Sequence, residues 1–344
     1  EAEKDAFGTT AAGTQPTAMA PTINSSMFGL NNTRTNRRRR LLTTLLWSCF
    51  ALECLTHDTH EHDDGLHVGD WEPRFPMPYS VSDMSAIVVP DPEDPTKQVV
   101  ILVGGCVHDQ LTCDYYEGCT YCPVVTSRAA MYIVSEDRWV AAADTPRPRY
   151  RHAAAALDGE VFVMGGRDLS DNIIDAVDAY DVATNSWRSV SGLVDRSDLA
   201  AFAWDGAIYA YGGYDASYNA LADGVALRPS DGTTWTPPPL TDRRGDFGIA
   251  VDVDTETVYA VGGWSDVDWC NPLDSVESLP TSSLNSAAAA ATWTSMPPLL
   301  VPRGDKAVAA AFGHVFVVGG EHNNACATLS APRDDVESLD ASRP

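Results

Sequence analysis

Short apolar runs alternate with polar turns along most of this chain, and five of these runs end in a pair of adjacent glycines. The runs are VVILVGG, VFVMGG, IYAYGG, VYAVGG and VFVVGG, and their pairs end at Gly105, Gly166, Gly213, Gly263 and Gly320. Runs of this length, rich in β-branched and aromatic residues and bounded by glycine, predict β-strands. No stretch has a sustained helical period. The pattern therefore predicts an all-β chain built from a repeated unit.

Each unit has the same order of predicted elements. A turn that contains arginine comes first, followed by an apolar strand, a tight turn such as Leu157-Asp158-Gly159, and a second strand that ends in the glycine pair. A polar loop and a third strand follow, predicted at 174–180 in one unit and at 275–279 in another, and a tryptophan precedes the next turn. Asp-Gly between apolar runs is a strong hairpin signal. The pattern predicts four strands per unit.

Tryptophans set the period of the repeat. They are Trp71, Trp139, Trp187, Trp235 and Trp293. The base spacing between them is 48 residues, and insertions lengthen the first and the fourth unit. The first insertion is a cysteine-rich loop, and the second includes a run of alanines that begins at Ala287.

A four-stranded unit of about fifty residues with Gly-Gly and Trp at fixed places resembles the Kelch repeat. The resemblance implies a Kelch-type β-propeller over residues 71–344, in which each unit is one four-stranded blade. Five units are recognisable, whereas the family implies six or seven blades. Two interpretations follow for the break in the pattern at Pro344. Residues 71–89 add the last strand of the final blade and close the ring, or the chain is truncated and further blades follow.

Three segments are predicted upstream of the propeller. Residues 1–36 are rich in Ala, Thr and Asn and predict a disordered leader. Residues 37–55 join a run of arginines to an apolar stretch, which is typical of a signal peptide or signal anchor. Residues 56–70 mix histidine with acidic residues and predict a solvated linker. We expect export, either cleaved or membrane-anchored through residues 41–55. The alternative is a cytoplasmic scaffold in which that stretch is part of a core.

The charge of the chain excludes one class of partner. The sequence has 23 basic and 48 acidic residues, a formal net charge of −25 at pH 7. Nucleic-acid affinity comes largely from Lys and Arg that neutralise phosphates, so DNA or RNA binding is not expected. A negative field favours basic proteins, divalent cations or neutral glycans and does not choose among them.

Six cysteines lie beyond the signal-like segment. They are Cys106, Cys113, Cys119, Cys122, Cys270 and Cys326. An even number in an exported chain predicts disulfides. A zinc site built on Cys119 and Cys122 with Cys106 and Cys113 is the alternative, and it is disfavoured because structural zinc usually has two tight pairs of ligands and only one is present. We predict no metal site and no cofactor.

Propeller connectivity gathers charged residues on one face. The turn before the first strand and the loop after the second emerge together, so arginines, the aspartates two positions later and the cysteine-bearing loops meet there. The binding-face candidates are Arg149, Arg196, Asp198, Arg244, Asp246, Arg303 and Asp305. The first unit has Asp83 and the second has Arg151 at the aspartate position. The alternative role is structural, with salt bridges between blades around the channel mouth.

Two of these sites spell an adhesion tripeptide. Arg244-Gly245-Asp246 and Arg303-Gly304-Asp305 both read Arg-Gly-Asp. Both occupy the same place in the repeat, so the repeat register accounts for the spelling and no adhesion function is predicted from it.

The predicted function is a binding module for a protein or glycan ligand, with no catalytic site. Galactose-oxidase-like enzymes share this type of propeller and use a copper held by Tyr and His, so a copper oxidase acting on carbohydrate is the alternative. Such a site needs paired histidine and tyrosine ligands on the channel axis. The repeat region has no adjacent histidine pair. Fold alone assigns no activity.

Overall fold

The apolar runs that end in glycine pairs are the second strands of five antiparallel sheets. The structure is a computed structural model that describes residues 73–107, 122, 124–266, 271–285, 291–322 and 331–341. The predicted leader, signal-like segment and linker lie outside the described residues, as do Cys113, Cys119, Cys270 and Cys326. Within those ranges, no helix has both the length and the apolar character needed to cross a membrane.

The sheets are the blades of a five-bladed β-propeller. Blade 1 consists of β2 (Ser85–Pro90), β3 (Gln98–Val103), β5 (Ala129–Ile133) and β6 (Arg138–Ala142). Blade 2 consists of β7 (Ala153–Leu157), β8 (Glu160–Met164), β9 (Ala176–Asp181) and β10 (Ser186–Leu193). Blade 3 consists of β11 (Ala200–Trp204), β12 (Ala207–Tyr211), β13 (Gly224–Arg228) and β14 (Thr233–Trp235).

The fourth blade is complete and the fifth has three strands in the described residues. Blade 4 consists of β15 (Gly248–Asp252), β16 (Thr257–Val261), β17 (Val276–Pro280) and β18 (Thr294–Met296). Blade 5 consists of β19 (Ala307–Ala311), β20 (His314–Val318) and β23 (Val336–Asp340). Two short pairs join β1 (Val81–Ser82) to β4 (Cys106–Val107) and β21 (Glu321–His322) to β22 (Ala331–Pro332). Short 3-10 turns occupy Val134–Glu136 and Thr281–Ser283.

Successive blades pack through their innermost strands. We name the strands of a blade a to d in chain order, from the axis outward. Strands a of neighbouring blades contact one another from β2 to β19 in turn. They are rich in alanine, as in AAAAL of β7 and AVAAA of β19, because small side chains suit the crowded axis. The four largest apolar clusters each span two adjacent blades, so the core lies between blades.

The predicted hairpin turns are present, and tryptophans form hydrogen bonds at the links between blades. Asp158 and Gly159 have φ of 52° and 84° in the tight turn between strands a and b of blade 2. The indole N–H of Trp139 donates to the carbonyl of Phe75 at 3.0 Å, and that of Trp187 donates to Ala143 at 2.7 Å. Each acceptor lies in the segment that leads into the same blade. The tryptophans thus fix the links between blades.

Residues 73–90 do not add a strand to blade 5. Phe75 contacts the outer strand of blade 1, β1 pairs with β4, and β2 is the innermost strand of blade 1. In blades 1 to 3 the corresponding tryptophan lies in strand d, and Trp71 lies outside the described residues, so closure of the ring by this segment stays a prediction. The third strands begin one or two residues later than predicted, at Ala176 and Val276.

Candidate binding face at the channel mouth

The four candidate arginines point into their own blades and are buried. They are Arg149, Arg196, Arg244 and Arg303, each at most 2% exposed. Each Nη1 group donates to the main-chain carbonyl of the first glycine in the doublet of the same blade, at 2.8–3.3 Å. The guanidinium groups therefore stabilise the blade from within. They are not available at the surface to a ligand.

Each buried arginine also pairs with a carboxylate at or just before strand c of the same blade. Arg149 Nη2 lies 2.6 Å from Asp178, and Arg244 Nη2 lies 2.5 Å from Glu277. Burial lowers the pKa of Arg149 to about 10, and the charge of Asp178 opposes that shift. The ion pairs of these arginines run within blades, which differs from the structural alternative that placed them between blades.

Main-chain atoms of the same arginines join one blade to the next. The N–H of the second glycine in a doublet donates to the arginine carbonyl of the following blade: Gly105 donates to Arg149 at 2.8 Å and Gly166 to Arg196 at 2.9 Å. The first glycine lies close to the same carbonyl. A Cβ on Gly165, where φ is +66°, would lie 2.4 Å from the Arg196 oxygen. The doublet is therefore the contact point between blades, which requires glycine.

The residues two positions after the arginines form what we call the channel-mouth ring. They are Asp83, Arg151, Asp198, Asp246 and Asp305. All five have positive φ, between 49° and 55°. Four main-chain hydrogen bonds of 2.8–3.1 Å run around the ring, each from the N–H of one member to the carbonyl of the member in the preceding blade. The ring carries four carboxylates and one guanidinium.

Charge is unevenly compensated around the ring. Arg151 Nε lies 3.7 Å from Asp83 and 3.6 Å from Asp198. The charge of Arg151 also acts on Asp246, and the charge of Lys306 acts on Asp305. Burial raises the pKa of Asp246 well above its usual value, and the nearby charges of Asp198 and Asp305 add to the shift. Burial and the charge of Glu321 raise the pKa of Asp305 to about 6.

Aromatic rings explain the two Arg-Gly-Asp sequences. A Cβ on Gly245 would lie 2.3 Å from the ring of Tyr214, and a Cβ on Gly304 would lie 1.8 Å from Trp264 Nε1. Tyr214 and Trp264 directly follow the glycine doublets of the preceding blades and cover these glycines. Both arginines are buried. The tripeptides are therefore packing elements and do not present an adhesion motif.

A second polar cluster on the same face was missed in the sequence. Arg167 is fully buried, and its Nε donates to Ser197 Oγ at 2.9 Å across the interface of blades 2 and 3. Its guanidinium carbon lies 3.8 Å from the ring centroid of Tyr218, whose hydroxyl donates to Asp171 at 2.8 Å. Burial and that hydrogen bond raise the pKa of Tyr218 to about 12. The sequence feature that could have identified this cluster is the position of Arg167 directly after a glycine doublet.

The cysteine-rich insertion contains a disulfide. Cys106 and Cys122 are joined, with their Cα atoms 5.5 Å apart. Cys122 is therefore not available for the zinc site considered with Cys119. Beside this loop lies a cavity of about 220 Å³ whose lining includes Val124, Thr126 and Pro148. In the described ranges, no group of three or more His, Cys, Asp or Glu residues is placed to hold a metal ion.

The residue three positions after each arginine packs against the preceding blade. His152 and Lys306 occupy this place in blades 2 and 5, where blades 3 and 4 have Leu199 and Phe247. Burial lowers the pKa of His152 to about 3, and the positive charge of Arg149 adds to the shift. His152 lies between blades as a neutral side chain.

Comparison with known proteins agrees with this geometry. The family model described as Kelch motif matches residues 148–193, which run from the turn before strand a of blade 2 to the end of its strand d. The other blades repeat the same arginine, doublet and strand order. The chain is a Kelch-repeat β-propeller.

Several curated relatives carry Kelch repeats by name. Kelch repeat and BTB domain-containing protein 1 of cowpox virus is 28% identical over 181 residues, which cover 51% of this chain and 30% of the relative. Kelch-like protein 28 of Mus musculus is 32% identical over 93 residues, which cover 25% of this chain and 16% of the relative. Beta-scruin of Limulus polyphemus is 23% identical over 244 residues, which cover 69% of this chain and 26% of the relative. The Kelch-repeat chain thus spans less than a third of the length of these relatives.

One solved structure with the same fold is that of YjhT. It matches with a TM-score of 0.58 at 13% identity, over 77% of this chain and 83% of the other. At this identity the likeness shows the propeller fold of the Kelch-repeat chain.

Proposed function

We propose that this Kelch-repeat propeller is a protein-binding module and that the face around the channel-mouth ring is its binding face. Kelch propellers are typical protein-interaction modules, and a propeller fold by itself assigns no partner. The observation that carries the proposal is the combination, on that one face, of exposed apolar side chains with a ring that has four carboxylates and one guanidinium.

The exposed apolar side chains lie on b–c and d–a connections, which are on the same face as the ring. Leu169 at the tip of the b–c loop of blade 2 is 60% exposed, and Leu300 in the turn before β19 is 88% exposed. Val124, in the b–c loop of blade 1, is 46% exposed. Apolar side chains that are exposed among polar residues are typical of protein-interaction surfaces. The chain charge of −25 favours a partner with a basic surface.

Capture of partners by variants of the two faces tests this proposal. In the binding-face variant, Leu169→Asp and Leu300→Asp are combined. In the matched control, Val134→Asp and Phe312→Asp change two other exposed apolar residues, 45% and 59% exposed, in the c–d and a–b turns at the opposite face. We expect the binding-face variant to lose basic proteins that the wild-type chain and the control both retain, as measured by quantitative mass spectrometry.

Two results would contradict the proposal. One is an identical set of captured proteins for all three forms. The other is saturable binding of neutral oligosaccharides on a glycan array that the binding-face variant abolishes while protein capture stays unchanged. The second result would assign the face to glycans.

We also propose that the chain is exported. The signal-like segment at residues 37–55 and the Cys106–Cys122 disulfide support this location, because disulfides persist in oxidising compartments. Mass spectrometry of alkylated protein from the source cells, without reductant, should show the peptides of Cys106 and Cys122 joined. Alkylated free thiols at both positions in freshly trapped protein would contradict export.

A further inference from the structure

The channel-mouth ring already holds one guanidinium between two carboxylates. Arg151 takes the place that aspartate has in the other blades, and its Nε lies 3.6–3.7 Å from Asp198 on one side and Asp83 on the other. The side chain is 24% exposed, so it lies at the channel and not within a blade. The ring therefore accommodates a planar cation between carboxylates of neighbouring blades.

The rest of the ring is an arc richer in carboxylates than in cations, because three aspartates follow one another there and Arg151 forms an ion pair with Asp198 alone among them. Asp246 and Asp305 follow Asp198 around the axis, joined by main-chain hydrogen bonds of 3.0 Å. The Asp198 side chain is only 4% exposed, and its Oδ2 atom has no hydrogen-bond partner among the described residues. A buried carboxylate oxygen without a donor is costly unless a ligand supplies one.

The backbone holds this arc in place before any ligand arrives. Asp198, Asp246 and Asp305 have left-handed φ of 54°, 49° and 49°, which costs free energy in residues other than glycine. The ring of main-chain hydrogen bonds holds this conformation, and Tyr214 and Trp264 pack against Gly245 and Gly304, the residues just before two of the aspartates. Strain of this kind, fixed by its surroundings, is common where a site is preorganised.

We propose that the arc formed by Asp198, Asp246 and Asp305 binds a guanidinium or ammonium group on a side chain of the protein partner. This inference rests on the proposed function, because it names the chemistry that the partner brings to the same face. An arginine or lysine from the partner would enter the mouth along the axis and supply the missing donors. The charge-assisted hydrogen bonds so formed are stronger than neutral ones.

Several other features agree with an organic cation. The carboxylates lie on three different blades, and the described residues provide no three-ligand group for a metal ion. Burial is the main cause of the raised pKa values of Asp246 and Asp305, and neighbouring carboxylates add to it, so a bound cation would favour the charged form of both groups. The charged and titratable groups that face the arc are Asp83, Arg151, Tyr214, Lys306 and Glu321. The aspartates outnumber the cations at the mouth.

A pair of peptides that differ in charge alone tests the site. The probes are N-acetyl-Gly-Arg-Gly-amide and the same peptide with citrulline, which keeps the shape of arginine and lacks its charge. The Trp264 indole N–H lies 3.4 Å from Asp305 Oδ2, so its NMR signal reports on the arc. We expect the arginine peptide to shift this signal saturably in the full chain and the citrulline peptide to leave it in place. A lysine peptide distinguishes ammonium from guanidinium.

Matched variants identify the residues responsible. Asp246→Asn with Asp305→Asn should weaken binding of the arginine peptide by about tenfold or more, because charge-assisted hydrogen bonds are lost. Asp205→Asn with Asp231→Asn removes the same charge from exposed turns at the opposite face and should leave the affinity unchanged. Thermal unfolding of both variants confirms that they fold.

Three outcomes overturn the inference. They are equal binding of the two peptides, unchanged affinity in the ring variant, and displacement of the arginine peptide by one equivalent of Ca²⁺, which would assign the arc to a metal. Failure here is distinguishable from failure of the proposed function. If protein capture depends on Leu169 and Leu300 but the ring binds no arginine peptide, the proposed function stands and this inference fails. If the ring binds the arginine peptide but no protein is captured, the cation site stands and the protein-binding function fails.

Discussion

At the scale of single residues, the buried arginines stabilise the blades in which they lie. Arg244 is fully buried and bonds the carbonyls of Gly262 and Ser275 as well as Glu277. Arg244→Met leaves the Glu277 carboxylate buried without its cation, and we expect a loss of about 3–5 kcal/mol in the free energy of unfolding. Denaturant unfolding measures it.

The neighbouring residue provides the control for that substitution. Arg243 is exposed and adjacent in sequence, so Arg243→Met should change the free energy of unfolding by less than about 0.5 kcal/mol. Equal effects of the two substitutions would show that the buried network of Arg244 does not stabilise its blade.

His152 should make the protein sensitive to acid. Its pKa is about 3 in the folded chain, whereas the unfolded chain binds the proton near the ordinary value of 6.5. The unfolded state therefore binds more protons between these values, and stability falls as pH drops from about 6.5 towards 3. His152→Leu, which copies Leu199 of blade 3, should remove up to about 1.4 kcal/mol per pH unit of this dependence. An unchanged slope of unfolding free energy against pH would contradict the assignment.

Asp246 should have the opposite dependence on pH. Its pKa is raised by burial and by neighbouring carboxylates, so the folded chain holds the proton more tightly than the unfolded chain. That stabilising contribution is complete below the ordinary pKa and is lost as pH rises through the raised value. Asp246→Asn stays neutral, and its melting temperature relative to wild type should therefore increase from pH 5 to pH 8. A difference that shrinks or stays constant over this range would speak against the raised pKa.

At the scale of elements, the glycine doublet is more than a strand end. Gly165→Ala would place a Cβ 2.4 Å from the Arg196 carbonyl, at a φ of +66°. Gly159 in the a–b turn also has positive φ, but a Cβ there meets nothing within 4 Å. We expect Gly159→Ala to cost about 1 kcal/mol through φ alone and Gly165→Ala to cost several times as much. Calorimetry of both variants measures the loss of stability and so separates backbone strain from disrupted packing between blades. Equal losses of stability in the two variants would show that the contact of Gly165 with Arg196 does not limit the side chain at this position.

Strand order could be predicted from the sequence because the relevant signals are local. Apolar runs, Asp-Gly turns and evenly spaced tryptophans each depend on neighbours in sequence, and strands b of all five blades lie where these patterns placed them. The direction of the arginine side chains could not be predicted in the same way. Arg149 bonds Asp178 in its own blade, and only packing distinguishes that partner from one in the next blade. The role of Arg167 depends on Ser197 and Tyr218, which are remote in sequence.

At the scale of the whole molecule, the contacts that hold the blades together and the proposed binding face lie in different parts of the propeller. The apolar clusters lie between blades, whereas the carboxylates of the channel-mouth ring and the exposed Leu169 and Leu300 lie on one face. Substitutions on that face can therefore change binding without unfolding the chain. The His/acid linker and the apolar segment at residues 41–55 lie outside the described residues, so anchoring stays a prediction.

The channel-mouth ring is held together by main-chain atoms, whereas its charge comes from side chains. Its four hydrogen bonds use only peptide groups, so the side chains at its five positions are free to vary among residues that tolerate a left-handed backbone. Blade 2 already uses this freedom by carrying Arg151 where its neighbours carry aspartate. Replacing Asp83 or Asp305 with asparagine or glycine would keep the four main-chain hydrogen bonds of the ring and change only its charge. The ligand specificity of the channel mouth can therefore change by substitution in one blade at a time, while the propeller fold stays the same.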